Sequence, residues 1–270
     1  MGKFWNLFSS WEEAEKVWDQ GAHEAAQATP LKKLKVLPQI PGITKETAPH
    51  LRWKGLKYLL SHDADKKIRN HILKAPFRYF WRYLSSFWKK KPYQRKGDFF
   101  LYGLSSFEEF QKKMGASLLV IGFSYCQKPL ECPSGRFTDQ CLRDPNHPVC
   151  RQCDIGKTLH ALPNQEVIPL LIPTIHYIGD KIFEIVQQNP KREILFLITA
   201  CELTLEMFGD LGNMAGIKGI GVRLDGRICN TMKAFELSEV GIKPGLTVVT
   251  KSTQEQILAL LKACRSDACV

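Results

Sequence analysis

From Leu118 onward, short apolar runs alternate with amphipathic stretches of helical period. The runs Leu118–Phe123, Val167–Ile172, Glu193–Thr199, Ile217–Leu224 and Leu246–Thr250 have the length and near-continuous hydrophobicity of buried strands. Between and after them, Thr174–Gln188, Leu203–Leu211, Thr231–Val240 and Thr253–Lys262 read as helices. This alternation predicts an α/β domain over residues 116–270: a parallel sheet of about five strands with crossover helices.

Residues 1–115 follow another pattern and are expected to form a helical N-terminal region. Ser10-Trp11-Glu12-Glu13 has the form of a capping box and opens a helix to about Ala28. Residues 29–49, with Pro30, Pro38, Pro41, Gly42 and Pro49, read as a linker. Helices are then predicted from Leu51 to Leu60, from Asp65 to Lys74, and from Pro76, which suits a first helical turn, to about Lys90. In the last of these, Phe77, Phe80, Trp81, Leu84, Phe87 and Trp88 fall on one stripe, and Arg78, Arg82, Ser85 and Lys89 on another face.

Composition sharpens the division. Residues 1–96 hold 20 Lys and Arg against 8 Asp and Glu, whereas the rest holds 18 against 19. All six tryptophans lie in the first third. A basic, aromatic helix suits the interface of an anionic membrane, so residues 66–96 are expected to meet such a surface, with a single-stranded nucleic acid as a less favoured alternative and packing on the α/β domain as the plain one. Met1–Trp11 lacks the apolar core of a signal peptide, and no uncharged apolar run reaches the ~18–20 residues of a spanning helix. Met1-Gly2 opens like a myristoylation signal, but position 6 is Asn6 rather than Ser or Thr. The expected location is the cytoplasm or its membrane face.

Nine cysteines in such a chain point to thiol or metal chemistry rather than to a disulfide framework. Five sit in one run: Cys126, Cys132, Cys141, Cys150 and Cys153. Cys201 and Cys229 each follow a predicted strand. Ligands of open α/β sheets bind beyond the carboxyl ends of the strands, so these seven are expected around one centre. The loop from Cys126 to Cys153, rich in Pro and Gly, would lie over that edge. Soft thiolates select iron–sulfur clusters and zinc. One Cys-x-x-Cys pair with otherwise irregular spacing favours a cluster, of the 4Fe-4S kind, over a zinc site built from two close pairs. Cys126, Cys132, Cys150 and Cys153 are the first choice of ligands, and Cys141, Cys201 and Cys229 the second. His147 and His176 are possible substitutes. Cys264 and Cys269 sit at a polar C-terminus and are read as lying outside the centre.

The ordered set Tyr125-Cys126-Gln127, Cys132-Pro133, Cys150-Arg-Gln-Cys153-Asp-Ile, Ala200-Cys201-Glu202, Gly221-Val222-Arg223-Leu224 and Cys229-Asn230-Thr231 resembles a bacterial and archaeal family known only as domain of unknown function, number 116. The resemblance covers roughly residues 118–240. It implies a cysteine-bound centre and supplies no reaction. This chain departs from the family in a sparser run around Cys150 and in having Cys141.

Other motifs carry less. Glu202 stands at a predicted helix start, where it is a cap residue or a proton relay. Arg223, Asp225 and Arg227 flank a turn. Gly216, Gly219 and Gly221 form G-x-x-G-x-G, which is not the dinucleotide fingerprint and reads as turn and close packing. Cys201 or Cys229 at a helix N-terminus is also a candidate nucleophile without metal. The sequence thus favours a cysteine-ligated redox or cluster-handling protein, served by a redox partner protein. The alternative is a non-enzymatic scaffold with structural zinc whose N-terminal helix binds a membrane or partner.

Overall fold

The computed structural model describes residues 3–32, 42–88, 91–226, 229–243, 245 and 247–265. Pro38 and Pro41 of the expected linker, Lys89, Arg227, Leu246 and Cys269 lie outside the described residues. The chain opens with helices α1 (Trp11–Ala28), α2 (Leu51–Ser61), α3 (Lys67–Leu73) and α4 (Pro76–Phe87). The Ser10 hydroxyl accepts the Glu13 N–H at 3.1 Å, and Pro76 occupies the first turn of α4. A hairpin of β1 (Gln94–Lys96) and β2 (Phe99–Tyr102) follows, then α5 (Phe107–Met114). The remainder runs β3 (Leu118–Ser124), α6 (Pro148–Arg151), α7 (Asp154–Ala161), β4 (Val167–Ile172), α8 (Ile175–Gln188), β5 (Ile194–Ala200), α9 (Glu202–Ala215), β6 (Lys218–Arg223), β7 (Asp225–Gly226), α10 (Met232–Glu239), β8 (Thr247–Val248) and α11 (Lys251–Arg265).

The fold is α/β, with a six-stranded mixed sheet ordered β1-β2-β6-β5-β3-β4. Its inner part is parallel, β4 and β5 flanking β3, and β6 joining β5. Two expectations need correction. The region before residue 115 is not purely helical: β2 pairs antiparallel with β6, Phe99 opposite Val222. Its four residues are all buried, and the turns beside it are made by Gly97 and Gly103, both at positive φ. The fifth predicted strand does not join this sheet. Among its described residues only Thr247–Val248 pairs, and it pairs antiparallel with β7 in a separate two-stranded sheet. The edge of β6 that it would have used is taken by β2.

Strand alternation gives the sheet two apolar faces. Phe100, Leu118, Val120, Leu170, Ile172 and Phe196 point to one core, covered by α2, α3, α4, α8, α9 and α10. Leu101, Leu119, Ile121, Phe123, Leu171 and Leu197 point to the other, covered by α5, α7 and α11. The N-terminal helices are fastened by buried polar contacts. Asp210 of α9 accepts from Arg52 of α2 at 2.5 and 2.6 Å and from the Ser86 hydroxyl of α4 at 2.6 Å. Arg151 of α6 donates to the carbonyls of Val17 (2.7 Å) and Trp18 (3.2 Å) of α1. Gly216 ends α9 at φ +78°, and a Cβ on Gly219 would lie 2.1 Å from the Phe196 carbonyl, so these glycines serve a helix end and close strand packing.

Candidate functional site: two groups of thiols on opposite faces of the sheet

In the parallel part of the sheet, the chain leaves β3 for β4 on one side and leaves β5 for β6 on the other. The strand order therefore reverses between the carboxyl ends of β3 and β5, where a crevice opens in folds of this kind. Cys126 lies in the turn Tyr125–Gln127 directly after β3, and Cys201 caps α9 directly after β5. Cys229, beyond β6 and β7, completes a group of three buried cysteines at this switch point.

These thiols are held by specific neighbours. The Lys243 ammonium donates to the Cys229 sulfur at 3.2 Å, and the Cys201 sulfur lies 3.1 Å from the Thr204 hydroxyl. The Cys201 thiol, not disulfide-linked, is hydrogen-bonded to Cys229. That bond, with the Lys243 charge, draws Cys229 down to about 5 against the effect of burial. The same bond, with burial, pushes Cys201 up. Burial also pushes Cys126 up. The Cys229 sulfur also lies 3.5 Å from the Ala234 carbonyl, a contact that favours its protonated form. The Glu239 carboxyl is raised to about 8 by burial and by Cys229, although it accepts the Ile175 N–H at 2.8 Å. Arg136, from the loop after Cys126, donates to the carbonyls of Cys126 (3.1 Å) and Lys243 (2.9 Å) and to that of Gly245. It ties the loop down over the switch point.

The space beside this group is a cavity of about 110 Å³ that opens to solvent. Besides the cysteines, Lys243 and Glu239, its walls carry eight Ser, Thr and Tyr residues and hydrocarbon from α8, α9, β5 and α10.

The other four cysteines do not reach this cavity. Cys132, Cys141, Cys150 and Cys153 surround a much smaller space of about 20 Å³ lined also by Lys128, Ile155 and Leu171. Leu171 faces the opposite core from Ile172, and Cys141 and Cys153 pack on that opposite core. The seven cysteines expected around one centre thus form two groups with the sheet between them.

Lys128 organises the second group. It is 1% exposed, and its ammonium donates to the carbonyls of Gly135 (2.7 Å), Gln140 (2.8 Å) and Thr138 (3.2 Å) and to the Thr138 hydroxyl (2.9 Å). Burial lowers its pKa, while Cys132, Cys141 and Cys153 act to raise it. Burial pushes Cys150 up to about 11 and Cys153 up to about 12, Cys153 being partly offset by the Gly156 and Ile155 N–H groups that open α7. The loop is not wholly irregular, since Pro148 begins the short helix α6.

No family model, no curated protein and no solved structure matches the chain.

The remaining candidates have structural partners. His147 caps α6, accepting the Val149 N–H, and His176 lies 3.0 Å from the Leu59 carbonyl. Glu202 pairs with Arg95 at 2.6 Å, and Arg223 with Asp98 at 2.8 Å. Cys264 is buried in α11. Among the described residues, no group of three or more His, Cys, Asp or Glu side chains is arranged to hold a metal ion. Sequence reasoning passed over Lys128, Arg136, Lys243 and Glu239. Each sits in a polar stretch where it reads as a solvated charge, and only the Lys128 position, two residues after Cys126, offered a signal.

Proposed function

We propose that the protein carries a thiolate-bound centre at Cys132, Cys141, Cys150 and Cys153, an iron–sulfur cluster with a redox or cluster-handling role. The observation that carries this reading is four cysteines lining one small space beside a buried ammonium. Four thiolates around a metal centre leave net negative charge, and the Lys128 ammonium, near three of these sulfurs, offsets it. Cys141 thereby replaces Cys126 in the ligand set, because Cys126 lines the other cavity. The thiols must close inward and release protons to bind, so loading is coupled to ordering of the loop and to pH. A cluster supplies one-electron transfer; zinc, the competing occupant, would only brace the loop. The resemblance to the domain-of-unknown-function family implies the same class of centre.

The test is anaerobic purification followed by a visible spectrum and analysis of iron, sulfide and zinc. Brown protein that loses its iron in Cys150→Ala but keeps it in Cys229→Ala supports the cluster. Colourless protein with zinc moves the site to a structural role. Neither metal overturns the reading.

A second reading rests on α4. Its buried side, Tyr79 and Ser86, packs toward α9, while Phe77 is 88% exposed, Phe80 60%, Trp81 64% and Trp88 78%. Four large aromatics bared together, with the exposed bases Lys74, Arg78 and Arg82 beside them, suit the interface of an anionic membrane. No helix among the described residues is long and apolar enough to cross one. Sedimentation with anionic and with neutral vesicles tests this: binding to neither removes it.

A further inference from the structure

The cavity at the switch point is built unlike the space around the loop thiols. Ile175, Ile178 and Ile182 reach it from α8, Phe208 and Leu211 from α9, and Phe196 from β5. Among its polar groups, Cys126, Cys201 and Cys229 lie about the Lys243 ammonium, and Glu239 lies near Cys229. An apolar lining with a few converging polar groups fits a ligand with a hydrocarbon tail and one reactive end. No histidine is among the described lining residues. The nucleophile available to such an end is therefore a sulfur poised by an ammonium 3.2 Å away and by a second thiol, rather than a cysteine–histidine pair.

We infer that this cavity takes the acyl chain of an acyl thioester, and that Cys229 accepts the acyl group. The Cys229 sulfur attacks the thioester carbonyl, and a carbon–sulfur bond forms to Cys229. The carbon–sulfur bond to the carrier thiol breaks. The carrier leaves as a thiolate and takes a proton from the Lys243 ammonium, which water replaces. One thioester is exchanged for another, so no electrons are transferred and no oxidant is required. A thioester suits the site because a thiolate leaves without a strong general acid, whereas the alkoxide or amine of an ester or amide needs one. The wall residues then set chain preference, since each methylene placed in an apolar site favours binding about fourfold.

The test uses the full chain and the acetyl and octanoyl thioesters of N-acetylcysteamine, with intact-mass and peptide mass spectrometry. The expected result is an octanoyl adduct on Cys229, formed faster than the acetyl adduct and lost in Cys229→Ala. Lys243→Met is expected to slow acylation roughly tenfold at neutral pH, the lost thiolate fraction being partly offset by the greater nucleophilicity of a more basic thiol. Ile178→Trp, which fills the tail region, is expected to slow octanoyl but not acetyl transfer. A cooperative thermal unfolding transition close to the parent's shows that this variant has folded. Octanoyl-coenzyme A and an octanoyl carrier protein then distinguish the two sources of a pantetheine thioester. No adduct on Cys229, or equal rates for acetyl and octanoyl, overturns the inference. Iron or zinc lost from Cys229→Ala also overturns it and assigns the site to metal. Metal content lost only from Cys150→Ala bears on the loop centre alone, so the two proposals fail separately.

Discussion

The Lys243 ammonium stands 3.2 Å from the Cys229 sulfur, and the two residues lie on opposite sides of α10 in the chain. A helix of eight residues therefore folds back to place a cation on a buried thiol. The pair has an electrostatic consequence that can be measured in the free protein.

Alkylation of Cys229 by iodoacetamide should depend weakly on pH from neutral upward. The thiolate is the reacting form. With Cys229 held near about 5, it is already ionised at pH 7, whereas an ordinary thiol gains reactivity up to about pH 8.5. Cys201 and Cys126 stay protonated beside it, and Glu239, raised to about 8, adds repulsion only as it ionises. Lys243→Met should move the profile toward that of a free thiol. A wild-type profile still rising steeply near pH 9 would show that the ammonium does not act on this sulfur.

Replacing Lys128 should loosen the cysteine loop. Lys128→Met leaves three carbonyls and a hydroxyl without their donor in a buried site, at a cost of about 2–3 kcal/mol. Urea denaturation should show that loss, and metal content should fall with it. Unchanged stability would mean that water reaches these oxygens.

Asp210→Ala should be among the more damaging single changes. It strips Arg52 and Ser86 of their shared acceptor between α2, α4 and α9 and leaves a largely buried guanidinium, about 3 kcal/mol. Thermal unfolding is the readout, and Asp210→Asn should recover part of the loss because it still accepts hydrogen bonds.

On α4, Phe77→Ser and Trp81→Ser should leave unfolding within about 0.5 kcal/mol of the parent, since both side chains are largely exposed. The same changes should abolish sedimentation with anionic vesicles. Arg78→Ala should weaken it about fivefold, near 1 kcal/mol for one basic residue at the surface.

Much of the sheet is legible in the chain. Strands buried on both faces must be apolar at nearly every position, which is why Leu118–Phe123 and Glu193–Thr199 announce β3 and β5. Thr174 and Thr231 each accept the N–H three residues on, at 3.1 Å, and so mark the starts of α8 and α10. Phe99–Tyr102 carries a strand signal too, but it is short and embedded in a basic helical region. Its role depends on an open edge at β6, more than a hundred residues away.

The sequence by itself determined that this is an α/β protein rich in cysteines, with three of them at strand ends, because hydrophobic period and residue type are local properties. Only the tertiary structure decided that the cysteines form two groups. Which face a loop descends on depends on the packing of α7 against one side of the sheet, with α1 on α6 beside it, and of α8 and α9 against the other. It also decided that Lys128 and Lys243 are buried beside sulfur, since a lysine in a polar stretch takes its meaning from whatever the fold brings to its ammonium.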